Sequence, residues 1–198
     1  MSKEKSREGR REEILLAALQ AFGEKGIYNS RIEEVAAAAG IGKGTVYEYF
    51  RSKEELISAA LRYEMETFAN AVKNSADREG SVRDKLKAMV ETVMLHHQQN
   101  CHKMLDINPT TIGGSMKDLK ALFLEQNDRW LKWMEEIIGA GVDAGEIRPV
   151  DSQLFLGALM GAVMNLIRPW SNPAWDRWTP AETAEQIADF FFEGIKKR

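Results

Sequence analysis

Residues 30–55 read SRIEEVAAAAGIGKGTVYEYFRSKEE, and this stretch decides the fold. Its pattern is helix, tight turn, helix, then the start of a third helix. Ser30 can N-cap a helix, and Glu33 stands three residues on, where a capping box returns its bond. Val35, Ala36 and Ala39 then give a short helix a narrow apolar side that another helix can approach closely. Gly40 supplies the residue that leaves a helix with positive φ, and Ile41 turns back toward the core. Gly42, Lys43 and Gly44 carry the chain round into a second short helix over Thr45–Phe50, on which Val46 and Phe50 share a face at i, i+4. Lys43, Thr45, Tyr47 and Tyr49 are left outward. Ser52 with Glu55 makes a second capping box, with Lys53 in the first turn of the helix that follows.

A helix-turn-helix lays its second helix in the DNA major groove, N-terminal residues foremost, while the preceding helix crosses the backbone. The run Ala39-Gly40-Ile41-Gly42-Lys43-Gly44-Thr45-Val46-Tyr47-Glu48-Tyr49-Phe50, followed by Lys53 and Leu56, resembles the N-terminal signature of the TetR (tetracycline-repressor-like) family of bacterial regulators. Gly42 departs from it, standing where the family more often has Ser. Glu48 stands where His, Arg or Asn is common; a carboxylate repels phosphate but accepts from cytosine N4. The resemblance implies DNA contacts from Ser30 and Arg31, at the start of the first short helix, and from Lys43, Gly44, Thr45, Tyr47, Tyr49 and Lys53.

Charge agrees with that division. The chain of 198 residues carries a net charge of −3, but residues 1–53 hold ten Lys/Arg against eight Asp/Glu. The acidic excess therefore lies in the rest, and one weakly basic headpiece suggests salt-sensitive binding strengthened by pairing two copies. Hydrophobic residues at 44% and charged residues at 29% are those of an ordinary globular protein. No apolar run approaches the length of a membrane span. The charged start MSKEKSREGRREE lacks a secretory h-region, and one cysteine, Cys101, suits the cytoplasm.

Outside the motif the chain reads as helices throughout, about nine in all. Residues 3–9 read as a frayed polar arm, and Arg11–Lys25 as a first helix with Ile14, Leu15, Ala18, Leu19 and Phe22 on one stripe. Gly26 stops it, and Tyr28 leads into the Ser30 cap. The helix beginning at Ser52 runs to about Asn74, too long for a headpiece alone. Ser81 to about Cys101 is amphipathic, and His96, His97, Cys101 and His102 gather at its end. His97 and Cys101 have the spacing of two metal ligands, yet no second His/Cys pair exists, so a polar helix end is the expectation. No oxyanion loop or orienting carboxylate accompanies Cys101, so no enzyme, metal or cofactor is implied.

Asp106–Ser115 is a Gly- and Pro-containing insertion. A long helix follows from Met116 toward Ala144, on which Leu119, Leu122, Phe123, Gln126, Trp130, Trp133, Met134, Ile137 and Ile138 cover more than a third of the circumference, enough to meet two layers. Asp151 caps LFLGALMGAVMNLI, apolar all round, where Gly157, Ala158, Gly161 and Ala162 allow close backbone approach. After the Trp-rich turn RPWSNPAWDRW, Thr179-Pro180-Ala181-Glu182 opens the last helix, which carries Ile187 and Phe191.

The expected organisation is all-α: a helix-turn-helix DNA-binding domain over 8–54 and a larger helical-bundle ligand-binding and dimerisation domain over 55–198. The resemblance implies a homodimer paired through the last two helices, with Gly157, Ala158, Gly161, Ala162, Ile187 and Phe191 at the interface. Its partners would be a palindromic double-stranded operator and a small lipophilic effector, and no membrane. The expected effector lining is Val93, His97, Met104, Phe123, Asn127, Trp130, Met134, Met160, Met164 and Asn165, chosen because His97, Asn127 and Asn165 interrupt apolar stripes. Two other classes fit less well: a DNA-binding regulator without an effector, and a helical small-molecule-binding protein that does not bind DNA.

Overall fold

The computed structural model describes residues 2–27, 29–104, 116–166 and 178–197, with the main chain alone at 2–6, 100–104, 116–120 and 122–123. Among these residues there are eight α-helices and no strand. In order they are α1 (Ser2–Lys25), α2 (Ile32–Ala38), α3 (Lys43–Tyr49), α4 (Lys53–Ala76), α5 (Val82–Met104), α6 (Met116–Asp143), α7 (Ser152–Leu166) and α8 (Pro180–Ile195). Tyr28, the insertion at 106–115 and the Trp-rich turn up to Trp175 lie outside the described residues.

Most helix starts follow from side chains that satisfy the free N–H groups of a first turn. The Glu55 N–H donates to Ser52 Oγ at 3.1 Å, and the Asp84 N–H to Ser81 Oγ at 3.1 Å. The Leu154 N–H donates to Asp151 Oδ1 at 2.8 Å, and Thr179 and Glu182 exchange both bonds of a capping box ahead of Pro180. Two starts differ from expectation. α1 begins at Ser2 rather than Arg11. Its early Lys, Glu and Arg residues lose little rotamer freedom in a helix, and Arg7 and Arg11 lie over the Tyr49 and Phe50 rings at 5.9 and 5.2 Å. α2 is capped by Glu34, whose carboxylate accepts from the Arg31 N–H at 2.9 Å, and not by the Ser30–Glu33 pair.

The chain forms two compact units. One takes in residues up to Thr67 with Asn100–Leu124; the other comprises Phe68–Gln99 and Glu125–Arg198. The first has its own core, built on Ile14, Leu15, Ala18 and Phe22 of α1, Val35 of α2, Val46 of α3 and Phe50. That core runs on through Leu56, Ile57, Ala60 and Leu61, so the headpiece extends about two turns past residue 54. Tyr63 Oη donates to Glu12 Oε1 at 2.6 Å, tying α4 to α1 within this unit.

The second unit has a separate core, from Val72 and Ala76 of α4 through α5, α6, α7 and α8. At Gly141 of α6 a Cβ would overlap Val82 Cγ2 and crowd the Ile147 side chain, so glycine leaves the room that these two side chains fill. An isolated antiparallel bridge pairs Ile147 with Lys196, and the Arg148 N–H donates to Ile195 O at 2.8 Å. The end of α8 is thereby pinned to the turn before α7. Arg83 of α5 bonds Asp189 Oδ1 at 2.6 Å and also Glu185, to which Lys87 adds a second cation. α7 is two-sided. Phe155, Leu156, Leu159 and Val163 fill the core, while Leu154, Gly157, Ala158 and Gly161 face outward with nothing within 4 Å of a Cβ built on either glycine.

Candidate nucleic-acid interface

Two seven-residue helices are too short to persist on their own, so packing must hold them. α3 is anchored by Val46 and Phe50, both buried against α1 and α2. Between the helices Gly40 adopts φ 66°, a left-handed conformation that a side chain would strain. The Ile41 N–H donates to Ala36 O at 2.9 Å and closes the turn. Gly42 is the extended residue before α3, which starts at Lys43 rather than Thr45.

This anchoring sets what the outer face presents. Lys43, Gly44 and Tyr47 are exposed, Tyr47 at 44%, and Thr45, Tyr49 and Lys53 are half-buried beside them. Arg31 is exposed at the start of α2. Seven of the eight expected DNA-contacting residues therefore lie at or near the surface of one small unit. Ser30 does not. It is 2% exposed, and its hydroxyl lies 2.9 Å from Ala21 O and 2.7 Å from Gly26 O, where it satisfies the end of α1. A serine before a helix suggests a cap, but the nearby carbonyls win the hydroxyl.

Glu33 escaped the sequence reading because its partner lies across the turn. Its carboxylate accepts from Lys43 Nζ at 2.6 Å, and the same ammonium lies 5.9 Å from the Tyr47 ring centroid. The bond from Lys43 holds the Glu33 carboxyl below its ordinary range, and Glu33 in turn raises the Lys43 ammonium. Lys25 and the Arg31 N–H do the same for Glu34. The face thus carries a cation and two phenol rings, with one carboxylate already on the cation.

In the second unit Val93 and Met134 are buried, while His97, Trp130, Met160 and Met164 are half-buried. The Phe68 ring stacks on His96 at 4.3 Å and lies 6.0 Å from Trp130. The side chains of Met104, Phe123, Cys101 and His102 lie outside the described residues. Asn127 and Asn165 are exposed, which removes them as lining residues within the protomer. The buried amide of α6 is Gln126, 4% exposed. The signal was present: Gln126 is one turn before Trp130, whereas Asn127 is about 100° round the helix. Among the described residues no group of three His, Cys, Asp or Glu side chains is placed to hold a metal ion, and no helix is long and apolar enough to cross a membrane.

Of the expected pairing residues, Gly157, Ala158 and Gly161 are exposed, and Ala162 and Phe191 half-buried. Ile187 is a correction: at 8% exposure it belongs to the protomer's own core. Phe190, 78% exposed, stands on the open side of α8, as Leu154 does on α7 at 74%.

Comparison with known proteins agrees with this geometry. Residues 14–60 match the family described as "Bacterial regulatory proteins, tetR family", and residues 79–195 match "Tetracyclin repressor-like, C-terminal domain". The HTH-type transcriptional regulator RutR of Escherichia coli K12 is 28% identical over 202 residues, covering 93% of this chain and 90% of its own. The fatty acid metabolism regulator protein of Bacillus subtilis is 23% identical over 159 residues, covering 80% and 81%. The crystal structure of FadR from Bacillus subtilis, solved in complex with stearoyl-CoA, superposes with a TM-score of 0.72 at 18% identity, covering 92% of this chain and 98% of that one.

Proposed function

The chain belongs to the TetR family of bacterial transcriptional regulators, and from that premise we propose that it binds a palindromic operator as a homodimer and leaves it when a lipophilic effector enters the second unit. One observation carries the DNA half. α3 is fixed through Val46 and Phe50 so that Lys43 and Tyr47 project together from one outer face. Two such helices can read half-sites roughly 34 Å apart. Pairing would use the open side of α7 and α8 around Gly157, Gly161, Leu154 and Phe190, which is small-residued and apolar.

The effector class is supported by half-buried Trp130, Met160 and Met164 around a core in which, among the described residues, no charged side chain is buried, and by the relative solved with stearoyl-CoA. A fatty acyl group is therefore the leading class. The coupling needs only different affinities of the effector for two states; about 3 kcal/mol changes occupancy over a hundredfold.

The test is an electrophoretic shift of DNA from upstream of the protein's own coding region, with Tyr47→Ala in parallel and a panel of acyl and aromatic compounds as challengers. The expected result is a shift that Tyr47→Ala loses and one compound reverses. A shift that no compound reverses points to a regulator without an effector. No sequence-specific shift at low salt overturns the operator assignment.

A further inference from the structure

We propose that the Gln126 side-chain amide is the hydrogen-bond donor of the effector site and receives a carbonyl oxygen carried on an otherwise apolar ligand. This rests on the reading that a lipophilic effector enters the second unit. Gln126 is 4% exposed, and among the described residues its Nε2 has no acceptor. Its orientation is fixed by chemistry. Arg129 Nη1 lies 3.4 Å from Gln126 Oε1, and a guanidinium only donates, so the atom facing it must be the oxygen. Arg129 is itself held, by Asn70 Oδ1 at 3.1 Å and by the Trp133 ring at 5.4 Å. Turning the amide round would set its N–H groups against the guanidinium and give up that contact.

A buried donor without an acceptor is costly, and an apolar residue of similar size would avoid that cost. The amide nitrogen heads the inner stripe of α6, with Trp130 and Met134 on the next two turns and Phe68 6.0 Å from Trp130. An acceptor arriving there comes on an apolar body. A carbonyl fits better than a carboxylate, because the Arg129 guanidinium lies on the oxygen end of the amide. A carboxylate at the nitrogen end would be buried without a counter-charge from it.

The experiment uses the full-length protein and two matched probe pairs: methyl decanoate against decyl methyl ether, and hexadecanoyl-CoA against its S-hexadecyl thioether, which lack only the carbonyl. Titration calorimetry should give wild type a preference of about tenfold for the carbonyl member of whichever pair binds. Gln126→Leu should lose that preference, while the free variant melts no lower than wild type. Gln126→Met, unbranched and close in volume, serves the same comparison if leucine disturbs the packing. Equal binding of both members by wild type, or a preference retained in the variants, overturns the assignment alone. If neither pair binds wild type, the acyl class of effector falls and the assignment with it.

Discussion

The Ser30 hydroxyl has one hydrogen and lies between two carbonyls, Ala21 O and Gly26 O, inside the first core. Ser30→Ala should therefore lower the stability of the headpiece by about 1 kcal/mol while leaving operator affinity unchanged well below the melting temperature. Thermal melting beside gel shifts at 10 °C below that midpoint separates the two effects, and an affinity loss without a stability loss would return Ser30 to the DNA surface. Glu33 is the opposite case. It occupies Lys43, so under the proposed DNA contact a phosphate has to displace it. Glu33→Gln should tighten operator binding and steepen the slope of log K against log salt by about one unit per headpiece; an unchanged slope would mean that Lys43 does not reach phosphate. Neither role was legible in the sequence. A serine ahead of a helix and a glutamate on its first turn both read as local capping, whereas Ser30 meets carbonyls four and nine residues back and Glu33 meets a lysine ten residues on.

Helices were far more legible than side-chain partners, because period and caps are local. The starts of α4, α5, α7 and α8 follow from Ser52, Ser81, Asp151 and Thr179 as the sequence implies. What the sequence could not supply was which helix each stripe would meet. Hence Ile187 was assigned to the pairing face, although α8 turns it inward and Phe190 outward. The attachment of α8 to α5 is electrostatic at its edge. Lys87 and Arg83 pull the Glu185 carboxyl down from 4.5 to about 2. A lowered folded-state pKa means that this contribution is complete above the ordinary carboxylate pKa and is lost as pH falls from about 4.5 toward 2. Circular dichroism on acid titration should show Glu185→Gln less sensitive than wild type across that window, and added salt should shrink the difference because the groups are only half-buried. Identical acid limbs would mean that the network does not hold α8.

For the molecule as a whole, pairing is the proposed property on which operator affinity turns. Phe190→Asp combined with Leu154→Asp should give a monomer by analytical ultracentrifugation and weaken operator binding by about a hundredfold, since one weakly basic headpiece replaces two linked ones. A variant that stays dimeric would move the interface elsewhere. At this scale the headpiece was readable from residues 30–55 and the all-α plan from the helical periods of the rest of the chain, whereas the lining of the second unit was not, because a methionine or tryptophan stripe looks the same whether it meets core or ligand. Among the described residues the two cores share no side chain: Ile14 to Leu61 build one, and Val72 to Ile195 the other. That separation has a genetic consequence. Under the proposed pairing, an allele that breaks only the first core, such as Val46→Asp, should still make a product able to pair and should disable each wild-type copy it joins. In a merodiploid reporter strain such alleles should be dominant, whereas alleles that spoil the α7–α8 face should be recessive.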